Sequence, residues 1–525
     1  MVRTVGTYAL CFLVFCAAST AEASMWRFDR PHLILEGSGL TNYSRLQLVQ
    51  HTPEKDRTWA GITPEYPWEA AILFYTSLVG LPADFVSGAG ADVHWHLYYP
   101  CTGEPLLPGN LYVCIAVSED GETFTKPMFD ILPYKMPNGS VVTTNRIFQT
   151  NTNSGPAFPH AQQGSVIITR RSGDASTNGS SASLALMVYE EQSKERHLLA
   201  AVSNDGVRFR NASGAGGGSY YVQGLPAYFA DTEAAVLELG PDIAPLNQSA
   251  NGYGGGCFAA YGRLDVFPGG VCPTTPDHTF RHAQAAYAVA SNGSCSSGVA
   301  LGPYHDARPT LDIDRGEDPA ECLDVYNTAP QLLPGAVIAL PSMYRHLPQS
   351  EAKAPEPAGS NDGVMDARLL VSRDGVSFRG ITRKPFLPRG VGYRDPVSGW
   401  YNGTGSERDA GFVFVTVGGI MDDNTTPGRP SNPDLDEPDT PPLTPYVWIL
   451  YWGTQTTHAS GGVYLAGTFP GAFTGILRAR LRREGFISLS TASDAEAGVA
   501  RSVTLQVPQP EDVCGGGAGF RPGTA

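Results

Sequence analysis

The stretch VSEDGETF, Val117 to Phe124, joins the apolar end of a strand to an acidic, glycine-containing turn and then to an aromatic side chain. Nearly the same phrase returns as VSNDGVRF at Val202 to Phe209 and VSRDGVSF at Val371 to Phe378, with a worn copy, ASNGSCSSG, starting at Ala290. With the serine as marker, the copies stand at Ser118, Ser203, Ser291 and Ser372, spaced by 85, 88 and 81 residues. A period this regular marks a repeat architecture. The phrase needs no catalytic explanation. Its aspartate accepts backbone N–H bonds within the turn, its glycine supplies a positive φ, and its aromatic ring plugs the layer between strands.

Around the phrase, helical periodicity is almost absent, and short alternating or apolar runs are bounded by Gly, Pro, Asn and Asp. The chain carries 60 glycines and 42 prolines, which with this pattern predicts an all-β protein. The first unit shows four strand-like runs: AAILFYT from Ala70, HWHLYY from His94, LYVCIAV from Leu111 and FTKPMFDIL from Phe124. Four strands per unit is the signature of a propeller blade. Later units keep the grammar with LALMVY from Leu184, CFAAYGR from Cys257 and VIALPSMY from Val337. A fifth has FVFVTVGG from Phe412, VWILYWG from Val447 and GVYLAGTF from Gly462. The expected fold is therefore a five-bladed β-propeller over residues 65–475, preceded by an extension at 24–64. A short C-terminal β extension follows at 476–510, and then a disordered tail at 511–525.

Of the 525 residues, 42% are hydrophobic, enough for a large core. Arg3, the apolar run Tyr8 to Ala18 and AEA at Ala21 to Ala23 have the three parts of a secretory signal peptide, with cleavage expected after Ala23. A run of about eleven apolar residues is too short to span a bilayer, so no membrane span is expected in the mature chain. Eight Asn-x-Ser/Thr sequons fit a eukaryotic secretory route: Asn42, Asn138, Asn178, Asn211, Asn247, Asn292, Asn402 and Asn424. The chain is thus expected to be secreted and N-glycosylated. Of the nine cysteines, Cys11 and Cys16 fall in the leader, and the expected bridge is Cys101–Cys114, on neighbouring strands of one hairpin. A net charge of −15 without a basic stripe excludes nucleic acid as a partner.

Propeller chemistry gathers where the innermost strands deliver their first residues to a shared funnel. The polar residues at such starts are Glu69 after Trp68 in the first unit and Asn145 near an inner edge in the second. The third unit has Asp231 and Glu233, two apart on one strand face, and the fourth has Asp324, Tyr326 and Asn327. Arg394 and Asp395 precede the fifth. Arg263 ends the second strand of the third unit. His94 and His96 lie on a middle strand, away from the funnel.

Five four-stranded units with acidic inner-strand starts resemble the five-bladed propeller glycosidases of the arabinanase, β-xylosidase, invertase and levansucrase superfamily. WEAAILFYTSLV, AVSEDGETFTKP, DVYN and LRREGFISL resemble a secreted branch of that group, over most of Trp68 to Leu489. The resemblance implies three carboxylates. Glu69 matches the base or nucleophile, and Glu233 or Asp231 the general acid. The helper position holds Asn145, an amide. Asp324 would orient substrate or tune its neighbours, and Trp68 and Tyr326 would stack on a sugar. Asn145, Arg263, Asn327 and Asp395 would complete the binding surface. No cofactor is required, although His458 matches a funnel histidine found near calcium in some members. The repeated turn also resembles the sialidase Asp box but lacks the residue between Asp and Gly, and a sialidase would need three funnel arginines.

Glycoside hydrolysis needs one carboxyl kept protonated for the leaving oxygen and another kept ionised, and crowding four carboxylates into a funnel would split their pKa values. The expected function is a glycoside hydrolase-like propeller that acts on or binds a carbohydrate through an acidic funnel. The rival is a non-catalytic carbohydrate-binding or protein-interaction propeller, in which the same residues cap inner strands and hydrogen-bond neighbouring blades.

Overall fold

A computed structural model of the chain describes residues 46–72, 75–102, 111–149, 161–170, 183–191, 197–211, 234–238, 256–266, 280–289, 304–309, 323–333, 336–346, 363–372, 375, 377–380, 382–391, 407–422, 446–457, 473–482 and 485–491. The protein is all-β. Among the described residues the only helical piece is a single 3-10 turn, Pro67–Glu69.

The strands run in chain order as β1 (Leu46–Gln50), β2 (Glu54–Lys55), β3 (Ala71–Ile72), β4 (Ser77–Gly80), β5 (Trp95–Thr102), β6 (Leu111–Ser118), β7 (Phe129–Lys135), β8 (Val141–Thr144) and β9 (Arg146–Phe148). Then come β10 (Ala161–Arg170), β11 (Ser183–Glu191), β12 (His197–Ser203), β13 (Arg210–Asn211), β14 (Ala235–Glu238), β15 (Gly256–Val266), β16 (Phe280–Val289) and β17 (Tyr304–Pro309). The last third holds β18 (Leu323–Val325), β19 (Pro330–Leu333), β20 (Ala336–Ala339), β21 (Ser342–His346), β22 (Gly363–Ala367), β23 (Leu370–Ser372), β24 (Arg379–Gly380), β25 (Phe412–Asp422), β26 (Tyr446–Thr454), β27 (Thr474–Arg482) and β28 (Ile487–Thr491).

Pairing sorts most of these into four-stranded antiparallel meanders: β4-β5-β6-β9, β10-β11-β12-β13, β14-β15-β16-β17 and β19-β20-β23-β24. A fifth set is β25-β26-β27 with β2, the N-terminal strand, as its outermost member. First strands of successive sets are neighbours. Val166 N–H donates to Ser77 Oγ (3.1 Å), Val236 N–H to Ser165 Oγ (2.7 Å), and Gln331 Nε2 to Thr416 O (3.4 Å). Strand β14 contacts β19. Val417 N–H donates to Thr76 O (2.9 Å), beside a Thr76–Thr416 hydroxyl pair at 2.6 Å. Thr76, Ser77, Ser165 and Thr416 are all buried, so small polar side chains hold these strands together where bulkier ones would not fit. Gly418 is one such close approach: its φ is +69°, and a Cβ there would stand 2.1 Å from Leu78 O.

Alternation along β5 explains the packing. Trp95, Leu97, Tyr99 and Cys101 face one cluster with Phe412, Phe414 and Trp452 of the fifth set, while Tyr98 faces Val166, Met187 and Leu199 of the second. Both faces of the sheet are covered, which is why its strands read as nearly continuous apolar runs. The Cys101–Cys114 disulfide joins β5 to β6 with Cα atoms 5.8 Å apart, as expected.

Three strand assignments differ from the sequence reading. FTKPMFDIL is the fourth strand of the first unit only at its start: Thr125 bridges Val117 of β6, whereas β7 turns back on β8 as a separate hairpin, and the three-residue β9 pairs with β6 nearer its middle. The boundary expected after residue 475 falls inside β27, whose nine residues pair along all of β26. GVYLAGTF, expected there, lies outside the described residues. The N-terminal segment contributes β1, paired with β28, and β2, paired with β27. A two-residue strand whose partner lies at the far end of the chain carries no local periodicity to read.

The repeated turn has the predicted geometry. Asp120 Oδ1 accepts Glu122 N–H (2.8 Å), Thr123 N–H (2.7 Å) and Ser118 Oγ–H (3.0 Å). Asp205 Oδ1 accepts Val207 N–H (2.9 Å), Arg208 N–H (2.7 Å) and Ser203 Oγ–H (2.8 Å). Gly121, Gly206 and Gly375 have φ values of 72°, 68° and 68°. Burial works against the charge of both aspartates, but these donors outweigh it and hold the carboxyls below the ordinary range.

Candidate functional site

Pro67 opens the 3-10 turn, Glu69 N–H closes it onto Tyr66 O (2.8 Å), and the turn lays Trp68 and Glu69 against the face of the first sheet that carries Tyr99. Glu69 is fully buried. Its Oε1 accepts Tyr99 Oη–H (2.6 Å) and Asn145 Nδ2–H (2.8 Å), and its Oε2 accepts Lys126 Nζ–H (2.8 Å) and Glu65 N–H (3.2 Å). A carboxylate offers about four acceptor positions, and all four are filled. Lys126, 4% exposed, balances the charge and also donates to Thr63 O (2.6 Å). Burial first, then the Glu69 charge, raises the Tyr99 phenol well above its ordinary pKa, so it stays protonated and donates.

Asn145 completes the network. Its amide donates to Glu69, to Tyr99 Oη (2.8 Å) and to Ile115 O (3.2 Å), and its carbonyl accepts Trp68 Nε1–H (2.8 Å). The structure places Asn145 just before β9, at the outer edge of the first sheet, and not at the inner edge of the second as expected. Trp68 is not an open sugar platform: it is 4% exposed, with Tyr66 stacked at 4.8 Å and Tyr134 tilted at 5.5 Å. Chemically this is a closed, charge-balanced knot. It joins the entry of the first strand to the second, third and fourth strands of one sheet, and the Glu69 carboxylate is closed off from solvent, while the Glu65 carboxylate, 55% exposed, meets Lys126 from outside at 3.5 Å.

The fourth-unit candidates are also buried. Asp324 in β18 stands opposite Tyr344 in β21. Tyr326 packs its ring 5.7 Å from Tyr344 and 6.1 Å from Phe414, inside the apolar cluster that also holds Trp68, so it is not a stacking surface either. Asn327 Oδ1 accepts Ser342 N–H (2.9 Å), pinning the bend between β18 and β19 where Ala329 takes a φ of 38°. Arg263 lies within β15, opposite Ala283. Asp231, Glu233, Asp395 and His458 lie outside the described residues. Thus Trp68, Glu69 and Asn145 come together, but inside a packed sheet face. Among the described residues no group of three or more His, Cys, Asp or Glu side chains is placed to hold a metal ion, and no helix is long and apolar enough to cross a membrane.

Sequence reasoning missed Tyr99 and Lys126, which answer Glu69, and the junction between the first two sheets. There His96 Nε2 meets Ser87 Oγ (2.7 Å), His96 Nδ1 meets Tyr98 Oη (2.9 Å), and Tyr98 Oη–H donates to Gly206 O (2.9 Å) in the second turn. Because Tyr98 spends its proton on Gly206, Nδ1 carries the imidazole proton and Nε2 accepts from Ser87. Tyr261 repeats the bolt, donating to Gly375 O (2.8 Å) in the turn of the fourth unit.

No family model and no curated protein matches the chain. Among solved structures it is similar to an N-acetylgalactosamine deacetylase from F. plautii, at 11% identity over 83% of this chain and 96% of that one, with a TM-score of 0.44. A glycosyl hydrolase from Bacteroides ovatus shows 11% identity over 85% and 98%, with a TM-score of 0.40. A structure from the GH130 family of mannoside phosphorylases, a family that contains glycoside hydrolases targeting β-1,2 mannosidic linkages in Candida mannan, shows 10% identity over 83% and 95%, with a TM-score of 0.44. Likenesses at this level decide neither the fold nor the activity of this chain.

Proposed function

We propose that the chain is a secreted five-bladed propeller of the glycosidase-like kind that recognises a glycan, and that Glu69 serves its architecture and not hydrolysis. The five-bladed reading is supported by the five four-stranded sets and by the succession of their first strands, β4, β10, β14, β19, β25 and again β4. The glycan reading rests on the sequence resemblance to the propeller glycosidases. The choice between binding and hydrolysis rests on one observation: the carboxylate that matches the base or nucleophile is fully buried with every acceptor position occupied. A general base or nucleophile must reach a water or an anomeric carbon, and one saturated by Tyr99, Asn145, Lys126 and Glu65 cannot do so without dismantling its sheet.

The test is to present the secreted protein with a glycan array and, in parallel, to screen sugar release from aryl furanosides, aryl pyranosides and algal and plant polysaccharides. Retention of a defined glycan without release is expected. Release that disappears in a folded Glu69→Gln variant would restore the hydrolase, and failure to retain any glycan would favour a protein-interaction propeller.

A further inference from the structure

We propose that Asn138 is a glycosylated asparagine whose glycan covers the exposed Val141 beside the hairpin tip. Asn138 and Asn211 are the sequon asparagines within the described residues. Asn211 belongs to β13, paired with Ala201, and the rest of its triplet lies outside those residues. The whole Asn138-Gly139-Ser140 triplet is described, and all three residues are exposed.

The triplet forms the turn between β7 and β8. Gly139 N–H donates to Met136 O (2.9 Å) and Met136 N–H to Ser140 O (2.8 Å). Pro137 fixes the first corner, and Gly139 takes the positive φ of 88° that closes a hairpin of this length. Asn138 Oδ1 accepts both Ser140 N–H (3.0 Å) and Ser140 Oγ–H (2.7 Å). The carboxamide oxygen is thereby turned in toward the hydroxyl, and the amide nitrogen is presented outward from an exposed tip. An acceptor triplet belongs in an exposed surface loop, and this one has both its asparagine and its hydroxyl there.

The step is a glycosyl transfer from a lipid diphosphate-linked oligosaccharide. The Asn138 Nδ2–C1 bond forms, one proton leaves Nδ2, the C1–O bond to diphosphate breaks, and the lipid diphosphate departs with the electron pair. Nothing is oxidised or reduced. Val141, the residue that follows the triplet, is 66% exposed and gives the glycan an apolar side chain to cover.

The proposal rests on passage through a secretory route, so the test separates the two. The full chain is expressed in eukaryotic cells once with its own leader and once with a foreign secretory leader. Occupied asparagines are then converted to aspartate by amidase release of the glycan in heavy-oxygen water, which tells them apart from spontaneous deamidation at Asn138-Gly139, and located by peptide mass spectrometry. With the foreign leader, residue 138 is expected to read as aspartate, Ser140→Thr to preserve that reading and Ser140→Ala to abolish it. An unmodified Asn138 in the secreted chain, or modification that survives Ser140→Ala, overturns the proposal. Retention inside the cell with the native leader alone counts against the secretory reading and leaves the acceptor geometry standing on the foreign-leader result.

Discussion

His96 is buried between two sheets, and burial lowers its pKa from 6.5 to about 3, with Asp205 pulling weakly the other way. Below pH 6.5 the unfolded chain binds a proton that the folded chain refuses until about pH 3. The stability from neutral His96 is therefore complete above 6.5 and is lost as pH falls. Each unit is worth about 1.4 kcal/mol, so urea unfolding at about pH 4.5 should show a loss of about 3 kcal/mol relative to neutral pH. His51, lowered by burial and by Arg482, adds in the same direction. Asp56, held at about 2 by Thr58, Arg478 and the Trp59 N–H against its own burial, releases its share only below the ordinary carboxylate range. His96→Gln should be less stable at neutral pH but should lose about that slope; a slope unchanged in the variant would assign it to other groups. None of this was legible in HWHLYY, because Ser87 and Gly206 reach His96 and Tyr98 from other elements. Glu69 was legible as a polar residue set against an apolar run. Its side-chain partners, 30, 57 and 76 residues away, were not.

At the scale of the element, the repeated turn was the most readable feature, because its donors, acceptors and glycine all fall within eight residues. Its second use was hidden: the glycine carbonyl accepts a tyrosine from the preceding unit, 108 residues earlier for Tyr98 and Gly206. The two uses separate in mutants. Asp120→Ala should cost about 1–2 kcal/mol for the turn donors it leaves unpaired. Asp205→Ala should cost about 1 kcal/mol more, because Arg208 also pairs with its carboxylate and the turn holds Tyr98. Tyr98→Phe should cost about 1–3 kcal/mol, since it leaves Gly206 O and His96 Nδ1 buried without their partner. Calorimetry on the three variants checks the order. Equal losses at Asp120 and Asp205 would mean that the bolt carries no load.

For the whole molecule, the N-terminal segment is the far edge of the last set. Arg478 stacks on Trp448 (4.1 Å) and Trp59 (4.8 Å) while donating to Asp56 (2.9 Å), and Lys55 pairs with the buried Asp409. A chain starting at Thr63 would strand Arg478 and Asp409 and bare the β27 edge, so it should unfold at much lower urea or aggregate; wild-type behaviour would refute the clasp. The all-β class followed from local pattern, whereas this clasp joins residues more than four hundred positions apart and left only a two-residue strand as its trace. The most direct test of Glu69 as an architectural residue is the unfolding free energy of Glu69→Gln, measured alongside sugar release. Breaking the buried pair with Lys126 should lower it by about 3–5 kcal/mol, while any folded protein still retains glycan. Wild-type stability together with loss of a hydrolytic activity would contradict the account.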